Sequence, residues 1–249
     1  MNVDSLSEIF EERFQEIDAY LDLLDTLERQ AHSGPPTIGG GLITVQQQKI
    51  LNSAVYLQLY NLVEATVTWC LDAVCAAAAH EGRWLPSDLS VELRREWVRT
   101  TAQTHAGLNA ENQLKKTVEI CDHLLQSLPI MAWNLDRRGG GSWDDHAISD
   151  ITDRLGCMVR LSPEVRRGIT QKIRDDKSAL ALVKDFRNRL AHGSLSFTEC
   201  GDGVTVVDLR NIANWTGDYL RVVVTSFTDF IATHAFLIPG SRPSSGAPT

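Results

Sequence analysis

The chain has 249 residues, 43% of them hydrophobic and 22% charged, the composition of a globular protein long enough to bury a sizeable core. Its formal net charge of −8 excludes a general electrostatic attraction for nucleic acid, so any such ligand must be held by a local basic patch. The five cysteines form no CxxC pair and the seven histidines no HxxxH spacing, which leaves no basis for a metal site, and an odd set of scattered thiols suits a reducing cytoplasm.

The N-terminal segment opens with Ser5-Leu6-Ser7-Glu8, a capping-box pattern, followed by Phe10, Phe14, Ile17, Leu21, Leu24 and Leu27 at three- and four-residue steps. It predicts an amphipathic helix over residues 1–31, with neither the basic start nor the apolar run of a signal peptide. Ser33-Gly34-Pro35-Pro36 and the Gly39-Gly40-Gly41 run predict a flexible loop after it. A long helix follows from about Val45 to Ala79. Gln58, Asn61, Glu64 and Asp72 interrupt its apolar run, so it reads as a buried helix and not as a membrane span.

Further helices are expected over about 89–99 and 112–128, with Pro129 breaking the second. Arg137-Arg138-Gly139-Gly140-Gly141 predicts another flexible loop, Ser142 with Asp145 a short helix to about Leu155, and Ser162-Pro163-Glu164 the start of the next. A helix over about Ser178–His192 stops at Gly193. "SLSFTE" and "VTVVDL" around Cys200-Gly201-Asp202-Gly203 read as two β-prone runs about an Asp-Gly turn, a short hairpin. A last helix is expected from about Ile212 to Phe236, and 238–249, rich in Pro, Ser and Gly, reads as a disordered tail. The predicted fold is all-α: a helical domain over 43–237 with one short β-hairpin insertion, preceded by the N-terminal helix.

The chemistry concentrates in "DFRNRLAHG", Asp185 to Gly193. Arginine holds a phosphate through a planar fork of donors that stays charged, and histidine exchanges a proton near neutral pH. Together they are a minimum set for cutting RNA without a metal: one group deprotonates the ribose 2′-OH, and a cation stabilises the charge that builds on phosphorus. The plainer reading is that Lys184, Arg187, Arg189 and His192 complement the negative end of their own helix, and spacing alone favours it. At about 100° per residue, Asn188 and His192 lie within ~40° of each other but Arg187 and His192 ~140° apart. One helix does not aim both at one phosphate unless its last turn unwinds or the arginine's length covers the gap. Two copies meeting about a two-fold axis offer another route.

"FRNRLAHG" resembles the Arg-polar-x(3–5)-His motif of the HEPN superfamily (higher eukaryotes and prokaryotes nucleotide-binding). Three further blocks are similar to the HEPN nucleases of bacterial conflict systems: "YNLVEATV", "SWDDHAISDITDRLG" and "LAHGSLSFTECGDGVTVVDL". The resemblance spans about Ile43 to Ile231. It implies a HEPN-like helical bundle that dimerises through its motif helices and acts as a metal-independent endoribonuclease, a toxin or effector in defence or a toxin–antitoxin pair. Arg187 would then contact the scissile phosphate, His192 act as general acid or base, and Asn188 orient either. Products with a 2′,3′-cyclic phosphate are implied, as are an RNA substrate, a homodimer, an antitoxin or defence partner, a cytoplasmic location and no cofactor. Ser194 stands where some HEPN toxins carry a modifiable tyrosine, so neutralisation by that route is not implied. The alternative is a HEPN module without catalytic activity that keeps the motif for dimer packing or ligand binding.

Other residues stay open between two roles. Glu64 is either a carboxylate paired with some basic residue or one that faces the motif helix and positions Arg187 or His192. Arg137, Arg138, Arg166 and Arg167 are either exposed helix and loop charges or the patch that holds an RNA backbone. Trp97, Trp133 and Trp143 are core residues or base-stacking platforms.

Overall fold

The computed structural model describes residues 5–103, 110–135 and 142–243. Three long helices dominate: α1 (Ser5–Ala31), α2 (Val45–Ala78) and α9 (Val206–Ala232). They pack on one another. α1 buries Leu6, Phe10, Phe14, Ile17, Leu21, Leu24 and Leu27, the stripe expected from the spacing, into the core that α2 and α9 share.

Buried residues lie all round α2, among them Tyr56, Leu59, Leu62, Val63, Cys70 and Leu71, because other helices cover it on several sides. Its start is held by a capping box. Thr44 Oγ1 accepts from Gln47 N at 3.2 Å, and Gln47 Oε1 accepts from Thr44 N at 2.8 Å. No helix among the described residues is long and apolar enough to cross a membrane.

The bundle is all-α, with one two-stranded hairpin in the described residues, but that hairpin lies at a different place from the expected one. β1 (Thr37–Ile38) pairs antiparallel with β2 (Gly41–Leu42), Thr37 opposite Leu42. Gly39 and Gly40, at φ +56° and +82°, supply the two left-handed residues such a tight turn needs.

The segment after Gly193 is instead helical. Ser196 and Glu199 form a capping box at the start of α8 (Phe197–Cys200), and Thr205 and Asp208 form another at the start of α9. The Asp-Gly turn joins two helices, and the β-branched Val206 and Val207 begin α9 six residues earlier than expected. Gly201 sits against α2 so closely that a Cβ there would lie 2.0 Å from the carbonyl oxygen of Lys49. Packing against α2 and the two caps outweigh the β propensity of the run.

The remaining helices are α3 (Val91–Gln103), α4 (Ala110–Leu125), α5 (Asp145–Leu155), α6 (Pro163–Thr170) and α7 (Ala179–Ala191). α3 packs on α4 and α5, and α7 on α2. Buried Glu96 ties α3 to α5: it accepts from Arg154 Nη2 at 2.5 Å and also pairs with Arg99. Removing that carboxylate charge leaves two guanidinium groups facing a neutral side chain. Glu96→Gln is therefore expected to lower stability by about 1–3 kcal/mol, the cost of weakening charged hydrogen bonds whose arginine partners stay partly exposed. The shift of the urea unfolding midpoint at constant slope measures it.

Candidate active site at the end of the motif helix

Core packing sets the rotation of α7. Leu182, Val183, Phe186 and Leu190 are buried, and Phe186 stands edge-on to Tyr56 of α2, ring centroids 4.8 Å apart at 86°. With that face turned inward, the side chains of Lys184, Arg187 and Asn188 emerge at the margin of the bundle, each partly exposed.

Arg187 is held from three sides. Its guanidinium carbon lies 4.4 Å from the ring centroid of Tyr60, a fully buried residue of α2. Nη1 donates to Asn188 Oδ1 at 3.0 Å, and Nη2 lies 3.8 Å from Glu64 Oε2. Tyr60 and Glu64 stand one turn apart on α2, so the aromatic face and the carboxylate meet the same guanidinium. Arg187 and Glu64 keep 36% and 41% of their side-chain surface exposed, which leaves the fork within reach of a ligand from solvent.

His192 ends α7. Its own backbone has left the helix, with φ −90° and ψ 1°, and Gly193 follows at φ +69°. Ser194 N donates to Arg189 O at 2.9 Å and Gly193 N to Leu190 O at 3.2 Å, the paired bonds of a Schellman stop. A Cβ added to Gly193 would touch nothing, so its left-handed backbone is the reason for a glycine there. The exposed His192 side chain makes no hydrogen bond or ion pair among the described residues, and none joins it to Arg187, Asn188 or Glu64. The structure thus brings Arg187, Asn188, Glu64 and Tyr60 together and leaves His192 open to solvent at the helix terminus.

The loop before α5 closes the other side. Asp144 caps α5 by accepting from Ala147 N at 2.8 Å, and accepts from Lys184 Nζ of α7 at 2.7 Å. Trp143 N donates to Tyr60 Oη over a long 3.4 Å. Lys184 therefore latches α7 to α5, a role its position beside the motif does not advertise. Asp185 accepts from Lys177 at 3.2 Å and lies 3.6 Å from Arg189, so it too is paired and not simply solvated.

The other sequence candidates lie elsewhere. Arg166 and Arg167 are exposed on α6. Arg137 and Arg138 lie outside the described residues. Trp97 and Trp143 are buried at 5% and 3% exposure, and the partly buried Trp133 donates to Thr100 Oγ1 at 2.7 Å. Trp97 and Trp143 serve packing, and Trp133 packs against the core and is tied to α3 by that bond.

A family model described as HEPN_MAE_28990-like HEPN matches residues 3–236. The chain belongs to this HEPN family, and the match takes in the N-terminal helix α1 as well as the motif helix. No curated protein and no solved structure matches the chain.

Asp144 links the latch to pH. Burial alone would raise its pKa, but the hydrogen bond from Lys184, the Ala147 amide and the nearby cationic charge together hold it below the usual carboxylate value. A depressed folded-state pKa stabilises the fold above the unfolded value, and that contribution is lost as pH falls through the folded one. Asp144→Asn, which can still cap α5, is expected to cost about 1 kcal/mol at neutral pH. The difference from the wild type should close once the pH has fallen below that depressed folded-state value, where both side chains are neutral. Denaturation curves at the two pH values check both arms.

Proposed function

We propose that the protein is a metal-independent HEPN endoribonuclease acting as a toxin or effector in a bacterial defence or toxin–antitoxin setting. The observation that carries this reading is the half-exposed Arg187 fork, braced by Tyr60, Glu64 and Asn188, one and a half turns before a solvent-open histidine at the helix end. A guanidinium braced on its sides and open to solvent is preorganised for an oxyanion, because little side-chain freedom is left to lose on binding. The membership of the chain in a HEPN family supports the same class of chemistry.

In this mechanism the imidazole of His192 takes the proton of the ribose 2′-OH. The 2′-oxygen attacks the adjacent phosphorus, and the bond to the 5′-oxygen breaks. That oxygen leaves with a proton from a second imidazole in its protonated form, which yields a 2′,3′-cyclic phosphate and a free 5′-hydroxyl. Arg187 stabilises the charge on the non-bridging oxygens, and Asn188 orients the guanidinium through the bond it already makes. Each chain has one such histidine, and about 140° of helix rotation separates Arg187 from His192. Pooling two copies of α7 across a homodimer supplies both the acid and the base. Arg166 and Arg167 serve the RNA backbone in this reading, the local cations that an acidic chain requires.

The test is RNA cleavage by the purified protein in EDTA. His192→Ala is expected to lower the rate by about 10²–10⁴, the range for losing a general acid–base group, and Arg187→Ala by about 10²–10³, the range for losing one donor to the developing charge, each with the oligomer intact on a sizing column. End-group analysis should find 2′,3′-cyclic phosphates. Cleavage only with added metal, or a His192→Ala variant as active as the wild type, would overturn the mechanism.

A further inference from the structure

α4 carries an apolar stripe that nothing in the described fold covers. Leu114, Val118, Cys121 and Leu125 follow one another at steps of four, three and four residues, the spacing of a coiled-coil seam. All four are exposed, Leu114 by 59%, Val118 by 49% and Leu125 by 82%. The opposite face is the one α3 covers: Lys116, Ile120 and His123 are partly buried, and the His123 ring lies 5.3 Å from that of Trp97. The stripe therefore points away from the bundle.

Its charged margin indicates what covers it. Lys115 and Asp122 stand on the same edge of the stripe, at ~100° and ~80° from Leu114 by helix geometry. Neither makes an ion pair among the described residues, while neighbouring Lys116 pairs with Glu119 within the helix. In an antiparallel two-fold pairing of α4 with itself, Leu114 lies opposite the partner's Leu125 and Val118 opposite the partner's Cys121. The same register sets Lys115 beside the partner's Asp122, twice over. The opposite edge carries Thr117 and Leu124, which bring no like charges together. Stripe and charges are thus self-complementary in one register.

We infer that α4 is a self-association surface, and that its occupant is the α4 stripe of a second copy of this chain paired antiparallel. The surface is distinct from the motif helix and does not rest on the ribonuclease reading. Four stripe residues per copy make a small interface, which belongs to the weak, concentration-dependent class.

Cys121 reports the contact directly, since in that register the two copies of it flank the two-fold axis, and the other four cysteines are buried. A short bis-maleimide should convert the native wild-type protein to a covalent dimer with a yield that rises with protein concentration. Lys115→Asp and Asp122→Lys should each reduce dimer formation about tenfold, a factor set by reversing both crossed pairs. Both the double variant and an equimolar mixture of the two single variants should recover it. The mixture also shows that neither change unfolds the protein, because each variant becomes competent when it meets the other. If the wild type yields no crosslink, the stripe serves some other partner and the inference fails. A crosslink indifferent to the charge reversals, or one that the mixture does not recover, overturns the antiparallel register and the inference with it.

Discussion

An apolar helix that no single neighbour can cover is the constraint on which this fold rests. α2 has buried residues all round, so α1, α7, α8 and α9 must each take part of its surface. Each covering helix is in turn rotated so that its own apolar stripe meets α2. For α7 this means Phe186 against Tyr56, which fixes where every other side chain of that helix points. The position of Arg187 at the margin of the bundle is thus a consequence of core packing.

The same packing explains how a charged site is assembled beside a core. Tyr60 belongs to both: its ring is buried, and its face takes the guanidinium of Arg187. A cation stacked on a buried ring needs less solvent than a bare one, and Glu64 and Asn188 supply polar partners for the fork. On the far side, Asp144 and Lys184 close the gap between α5 and α7. Side chains of α2 and of α7 itself hold the arginine, whereas the histidine hangs from a helix end that Gly193 terminates. One member of the motif is braced and the other is free to meet what approaches.

Elements with a strong local signal are legible in the residue pattern itself. The stripe from Leu6 to Leu27, the cap at Ser162 and the stop at Gly193 lie where their residue types place them, whereas α5 is capped by Asp144 and not by the Ser142 that the pattern suggested. The hairpin expected between 194 and 209 is the instructive failure. "SLSFTE" and "VTVVDL" carry β-branched residues around an Asp-Gly turn, yet they also carry Ser196-x-x-Glu199 and Thr205-x-x-Asp208, two helix starts. Both signals are local and of similar size, about 1 kcal/mol each, so neither settles the segment. The close approach of Gly201 to Lys49 shows the long-range packing that goes with the helical solution. The hairpin that does form sits in the glycine run at 39–41, where composition alone suggested only a loop.

By itself the sequence determined the fold class, the apolar stripe of α1, the cap at Ser162, the stop at Gly193 and the motif Arg187-Asn188-x(3)-His192, because these depend on contacts within a few residues or on residue type. Only the tertiary structure decided which groups face Arg187, that Lys184 reaches Asp144 forty residues away, and that Trp97 and Trp143 are spent on packing. Those facts depend on how helices distant in the chain are rotated against each other. That rotation is set by the summed fit of many buried side chains around α2, a quantity that no local spacing encodes.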